Sequence, residues 1–291
     1  MAVDFLKSLI IKLLGSTIFF VFSNKLIKIV RIEGGLGSQL IGLIVYESKK
    51  VKDSRVRPDV SYFLNRSSNG KSSGPTIWDW ELGDYGYTLE NFSSQSRFYD
   101  KYLGPYFSSH TRKVRDSASE LAEAPWRTLA KRLPLAKGLN DFLLEHELTL
   151  QKDFAVIHIR KGDYLKVASR VFSLEESING LARFSSFING PIFVTSDDVL
   201  SKKELDYCKD KLGSLRLIVV GSDIDHHIVH SLMRTAAFLF TSNSTFSWTA
   251  GMLNIREAPM IISPTSFFRE KDYLVNDLFR VKSSWMLIDL D

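Results

Sequence analysis

The sequence predicts an α/β protein whose second half is a Rossmann-type domain with a parallel sheet, preceded by a more irregular α/β half. Two observations carry the prediction. From Phe154 onward, short apolar runs alternate with helical stretches, the pattern of βαβ units. Phe154 to Ile159, broken only by His158, is continuous and β-prone rather than alternating, so it reads as a strand buried on both faces. A chain of 291 residues suffices for one large domain or two of ordinary size.

Composition narrows the function. A net charge of +5 suits a nucleotide-type anion or an acidic membrane surface. It does not point to nucleic acid, since the sequence has neither a Lys/Arg run nor zinc-finger spacing. The single cysteine, Cys208, excludes an intrachain disulfide and a cysteine-based zinc site, and fits a reducing, cytoplasmic setting. In its predicted helix it reads as a half-buried thiol. His226, His227 and His230 are either metal ligands on one helical face or, more simply, a partly exposed helix start.

In chain order, residues 5–23 come first. Lys7, Ser8, Lys12 and Ser16 fall mostly opposite Leu6, Leu9, Ile10, Leu13 and Leu14, which predicts an interfacial helix on anionic headgroups. A membrane span is the alternative, although Lys12 leaves a short uninterrupted run; a helix packed on the protein or on another subunit is a third reading. Leu26 to Ile32 reads as the first strand, and Gly34-Gly35-Leu36-Gly37-Ser38-Gln39 as a turn into an apolar helix. The third glycine of the dinucleotide fingerprint is missing. Arg57 to Leu64 is a candidate second strand, residues 65–77 a loop, and Trp78, Trp80, Tyr85, Tyr87 and Phe92 either a satellite core or a sugar-stacking surface. Residues 111–133 read as a helix broken or restarted at Pro125, and Leu139 to Leu150 as a further helix.

The second half follows a regular rhythm. After Phe154 to Ile159 comes a helix opened by a capping box of Ser173 with Glu176. The next strands are Ile192 to Thr195, Leu215 to Val220 and Phe238 to Thr241, with helices over 199–211 and 225–237 between them. Ser242 to Trp248 opens a last helix, and Met260 to Ile262 closes the sheet.

Ligands of open α/β sheets bind outside the carboxyl ends of the strands. There the sequence places His158, Arg160 and Asp163, then Asp197 with Asp198, then the hydroxyl-rich turn from Ser242 to Ser247. A guanidinium forks onto phosphate oxygens, and a helix N-terminus is an electropositive seat for a diphosphate. The plainer reading of Arg160 with Asp163 is an ion pair that ties off a loop.

Taken together, these segments resemble the α-1,2-fucosyltransferases, whose GGLGNQ, HxRRGDY, SDD and SNSSFSWW motifs occur here in the same order. They stand as Gly34 to Gln39, His158 to Tyr164, Ser196 to Asp198 and Ser242 to Trp248, within residues 26–265. Ser38 replaces an Asn, Lys161 the second Arg and Thr249 the second Trp, and Ile41 and Gly42 depart from an aromatic pattern. These changes put the acceptor in doubt more than the donor.

The resemblance implies two facing Rossmann-like domains of the GT-B glycosyltransferase type, using GDP-fucose with inversion and no metal or other cofactor. It implies that Arg160 contacts the β-phosphate, that His158 and Asp197 hold the guanine or its ribose, and that Ser244, Thr245, Phe246 and Ser247 seat the diphosphate. Gly35, Gly37 and Gln39 would line the acceptor cleft, and Asp163 or Glu33 would be the base, with Asp163 as an orienter of Arg160 the alternative. The expected organisation is residues 1–25 as a membrane-associating helix, 26–150 as the acceptor-side domain, 151–265 as the donor domain and 266–291 packing across both. The acceptor expected is a galactoside 2-OH of a glycan, with a lipid-linked oligosaccharide at the cytoplasmic face of a membrane as one form. The competing readings are the same fold with another nucleotide sugar, a nucleotide-binding regulatory module or dehydrogenase, and an inactive membrane-associated scaffold.

Overall fold

Strand β3, Ala155–Ile159, is buried along its whole length and hydrogen-bonded on both sides. It belongs to a computed structural model that describes residues 28–60, 63, 79–92, 123–161, 172–213, 215–265 and 284–290. On one side β3 runs parallel to β4, Ile192–Ser196, with Ala155 opposite Ile192 and Ile159 opposite Ser196. On the other it runs parallel to β6, Phe238–Phe240, with Ala155 opposite Phe238. With β5 (Leu217–Val219), β7 (Met260–Pro264) and β8 (Met286–Ile288), the order is β5-β4-β3-β6-β7-β8, every pair parallel. This is the Rossmann strand order, and its topological switch point lies between β3 and β6.

Helices connect the strands where the sequence places caps. Helix α4, Leu174–Ala182, opens on the predicted capping box of Ser173 with Glu176. Helix α5, Lys202–Leu212, opens on a second box, Ser201 with Glu204. Asp225 caps α6, His226–Thr235, and Ser244 caps α7, Thr245–Met252. Cys208 on α5 is only 1% exposed, not half-buried, and burial pushes its thiol up to about 11. It is a core side chain, packed with Leu212, Ile178 and Val194.

The chain divides into two compact units, residues 1–121 and 122–291. The sequence boundary at 150/151 lies later, and the packing of residues 122–150 explains the difference. Helix α2, Glu123–Arg132, sets Trp126 edge-on against Trp248 of α7, with ring centroids 5.5 Å apart. The described helix begins at Glu123, which fits a restart at Pro125, whose missing N–H costs no helical bond there; residues 111–122 lie outside the described residues. The fully buried Arg234 of α6 donates to the carbonyls of Pro134 at 2.8 Å, Leu133 at 3.0 Å and Ala130 at 3.2 Å. A cation thus closes the C-terminal end of α2, where the helix dipole favours one. Helix α3, Leu139–Glu145, follows and is shorter than expected. The sheet also runs one strand beyond Met260 to Ile262. Residues 286–288 of the tail belong to it, with Ile288 and Leu290 buried close against Gly180 of α4.

Among the described residues of the first unit is one βαβ element. Strand β1, Lys28–Arg31, pairs parallel with β2, Val56–Asp59, through helix α1, Leu36–Lys52. Strand β2 stops short of the predicted Leu64, and Phe63 turns back to donate its N–H to Val60 at 2.9 Å. A Cβ on Gly42 would lie 3.1 Å from the Arg31 carbonyl, so the glycine lets α1 lie directly on β1.

Replacing Arg234 by Met leaves the carbonyls of Ala130, Leu133 and Pro134 without this donor, the first two of them on buried residues. The expected cost is on the order of 3 kcal/mol, read as a lower urea midpoint at unchanged slope.

Candidate active site

The site grows from the last turn of β3. His158, 3% exposed, brings its Nδ1 to 2.7 Å from Ser242 Oγ, just past β6. The switch point between the two strands is therefore bridged by one side-chain hydrogen bond. Burial first, and the Arg160 charge second, depress the His158 pKa to about 3, so the ring is neutral at physiological pH.

The turn after β6 is bonded mostly to itself. The Ser242 N–H donates to Ser247 Oγ at 3.2 Å, and the Ser247 hydroxyl donates to the Ser244 carbonyl at 3.3 Å. Ser244 Oγ caps α7 by accepting the Phe246 N–H at 3.3 Å. Of the four predicted diphosphate residues, Ser244 and Ser247 therefore use their hydroxyls inside the turn. Thr245 and Phe246 are half-buried and form the first turn of α7, where backbone N–H groups point along the axis away from the helix.

The Phe246 ring stands between two buried imidazoles, with centroids 5.6 Å from His158 and 5.2 Å from His230. His230 Nε2 lies 3.3 Å from Thr249 Oγ1, and that hydroxyl donates to the carbonyl of Thr245 or Phe246 at 2.8 or 3.0 Å. The imidazole is therefore the donor to Thr249. Burial, then the charge of Arg234, holds the His230 pKa well below the usual histidine range. With Nε2 on Thr249, His230 serves the α6–α7 contact.

Arg160 follows β3 directly. Its Nη1 lies 2.8 Å from Asp197 Oδ2, with side chains 15% and 20% exposed. Asp197 Oδ1 accepts the Lys161 N–H at 2.6 Å. Both carboxylate oxygens of Asp197 thus hold the end of β3, which makes Asp197 an orienter of Arg160. That contact stands beside the guanine or ribose role that the resemblance implies for Asp197. Asp163 lies outside the described residues. Asp198 Oδ1 accepts the Val199 N–H at 2.8 Å and shapes the same turn.

In the first unit, the glycine turn opens α1. Gly34 takes a φ of +79°, the left-handed region, and Gly35 is the N-cap, with no side-chain cap. Gly37 is buried in the first turn. Gln39, fully buried, has its amide engaged on both ends: Nε2 donates to Gly34 and Asp79 carbonyls at 2.7 Å each, and Oε1 accepts the Glu81 N–H at 2.9 Å. It pins the glycine turn to residues 79–81, so its work is to fix the loop. Glu33 is paired with Arg31 Nε at 2.8 Å. Trp80, Tyr87 and Phe92 pack ring on ring with Tyr46 and Phe63, the satellite core.

Two cavities of about 310 and 190 Å³ lie at the amino-terminal ends of the strands, around Ala258 and Met260. They face the edge opposite Arg160 and His158, whereas ligands of this topology bind at the carboxyl ends.

Residues 135–288 match the family described as Glycosyl transferase family 11. The chain belongs to that family. This is the fucosyltransferase family whose motifs the sequence resembles. The match spans the whole described sheet of the second unit, so this family 11 glycosyltransferase carries Arg160, Asp197 and the α7 turn inside its family region. Among solved structures it is similar to POFUT1 in complex with GDP, at 14% identity over 81% of this chain and 96% of that one, TM-score 0.46. It is also similar to NodZ alpha-1,6-fucosyltransferase soaked with GDP-fucose, at 15% identity over 77% and 91%, TM-score 0.45. A third is E. coli heptosyltransferase WaaC, at 11% identity over 89% and 92%, TM-score 0.39. Curated proteins give no match. The family assignment rests on the sequence match.

His158 sets a pH dependence. Its pKa near 3 lies below the unfolded value of about 6.5, so the unfolded chain binds more protons between the two. The stabilisation is complete above pH ~6.5 and drains away as pH falls toward ~3. Urea midpoints at pH 7, 6, 5 and 4 should fall more steeply for the wild type than for His158→Asn, which keeps a polar atom near the Nδ1 position without the titration.

Proposed function

We propose that this protein transfers fucose from GDP-fucose to a glycan hydroxyl with inversion, the 2-OH of a galactoside being the first acceptor to test. The observation that carries the reading is Arg160, held by Asp197 at the carboxyl end of β3, one strand from the N-terminus of α7. A cation and a helix N-terminus beside the switch point match a diphosphate leaving group. Family membership supports glycosyl transfer.

In this reading the acceptor oxygen attacks the anomeric carbon of fucose as its bond to the β-phosphate oxygen breaks. The electron pair leaves on GDP, and the acceptor proton passes to a base. Arg160 takes up the charge growing on the diphosphate, a group already in place before the reaction. The Thr245 N–H at the start of α7 binds the same anion, the Phe246 N–H being taken by the Ser244 cap, and neutral His158 holds the turn through Ser242. Asp163 is our choice of base, with Glu33 second. The reading invokes no metal, and in it Asp197 serves Arg160 and Lys161 through its two oxygens.

We extend the reading to location. Residues 5–23 would lie on the cytoplasmic face of a membrane and bring the site to a lipid-linked acceptor. Among the described residues no helix is long and apolar enough to cross a membrane, and residues 5–23 are not among them.

Calorimetry should give GDP binding at least ten times tighter than UDP; equal affinities or a preference for UDP would move the donor to another nucleotide sugar. Arg160→Lys loses the fork and should cut turnover of GDP-fucose by about 100-fold or more with the thermal midpoint unchanged. Near-normal turnover in that variant would remove Arg160 from the phosphate. Deleting residues 1–24 should shift the protein from the membrane to the soluble fraction while sparing activity on a water-soluble acceptor; unchanged membrane recovery counts against the anchor.

A further inference from the structure

Lys161 stands where the resembling family carries a second arginine, yet its side chain is committed to another element. Its Nζ lies 2.9 and 3.0 Å from the two carboxylate oxygens of Glu204, and 3.2 Å from the Val199 carbonyl. Glu204 is the third residue of α5, and the same carboxylate accepts the N–H and hydroxyl of Ser201 at 2.7 and 2.8 Å. One side chain therefore closes the capping box of α5 and grips the end of β3. The Lys161 backbone N–H is bonded to Asp197 Oδ1, and Asp197 Oδ2 to Arg160. The contacts run without a break from the N-terminus of α5 through Glu204, Lys161 and Asp197 to the guanidinium.

We propose that Glu204 is a positioning residue, fixing Arg160 against the leaving diphosphate through Lys161 and Asp197. This rests on the reading of Arg160 given above. The Lys161 and Glu204 side chains are only 17% and 20% exposed, so the pair is more than a solvated surface contact. Burial pushes the Glu204 carboxyl up, but hydrogen bonds from Lys161 and Ser201, with the Lys161 charge, outweigh it and hold the carboxyl below its usual range. Glu204 is thus ionised at neutral pH and supplies the charge that Lys161 needs. A guanidinium released from this chain keeps its charge and loses its aim, and aim counts most in the transition state.

The protein carries its own control. Glu176 closes the other capping box, on α4, with the same chemistry. Glu204→Gln keeps the side-chain length and a partial cap and removes the charge. Its turnover of GDP-fucose, read as GDP release, should fall by about 10-fold or more, while the Kd for GDP changes much less. Glu176→Gln should lower the thermal midpoint by a similar amount and leave turnover within about twofold, since a cap loss alone acts on stability. Lys161→Met should match Glu204→Gln, and the double variant should be no worse than either, because the two act through one contact. Lys161→Arg should retain most of the activity.

A Glu204→Gln protein with wild-type turnover, where Arg160→Lys is impaired, overturns the positioning role and leaves the transferase reading intact. So do equal turnover losses in Glu204→Gln and Glu176→Gln. A wild-type protein that neither binds GDP nor releases it from GDP-fucose overturns the transferase reading, and the positioning role falls with it.

Discussion

A polar ring at the centre of a buried parallel sheet must find a hydrogen bond inside the protein. His158 sits on such a strand, and the partner within reach is Ser242, across the switch point on the neighbouring β6. That bond ties together the two strand ends between which a Rossmann sheet opens its binding crevice. The rest of the site is built around this closure. Ser242 also engages Ser247, Ser247 engages Ser244, and Ser244 caps α7. A neutral imidazole thus fixes the direction of a helix N-terminus, and its neutrality follows from its burial.

On the other side of β3 the logic is ionic. Arg160 emerges where the strand stops, so nothing in the sheet ladder orients it. Asp197 supplies that orientation from the end of β4, with Ile159 opposite Ser196 in the register and the next residues facing one another. The carboxylate offsets part of the guanidinium charge, and the gain is geometric: Asp197 fixes Nη1 of a fork with five N–H donors. The partial exposure of both side chains keeps the Coulombic contribution to stability small. The pair matters for where the cation is.

The strands were legible in the sequence for a physical reason. Val156 and Ile157 are buried on both faces, and an unbroken β-branched run has few other ways to be satisfied. The capping box at Ser173 was legible because its chemistry is local. What escaped was non-local. Asp197 lies 36 residues from Lys161, and Glu204 43 residues from it, so their partners appear only once β3 and β4 pair. The place of β8 at the edge of this sheet escaped because Met286-Leu287-Ile288 is short, with two of its three side chains facing out. The place of residues 122–150 escaped too, since it depends on a buried Arg234 that nothing in a helical pattern distinguishes from a surface arginine. Gln39 was found by its motif but its bonds were not, because burial of an amide is invisible without the 79–81 segment that saturates it.

Two of the positions where the sequence departs from the resembling family, Lys161 and Thr249, have a bonded local partner. Lys161 has Glu204, which a point charge on a flexible stem satisfies as well as a fork would. Thr249 accepts the His230 imidazole, a bond that a tryptophan, which only donates, could not make. Ser38 lies against Gly34, where a Cβ would come within 3.1 Å of it, and so belongs to a turn already committed to φ of +79°. Substitutions compensated one by one in this way preserve the arrangement of Arg160, Asp197 and α7 while changing what surrounds it. Decay of an unused site predicts the reverse: altered side chains with lost partners, and buried charges without counterparts. Here the Arg160–Asp197 pair and the Ser244 cap of α7 both keep their partners.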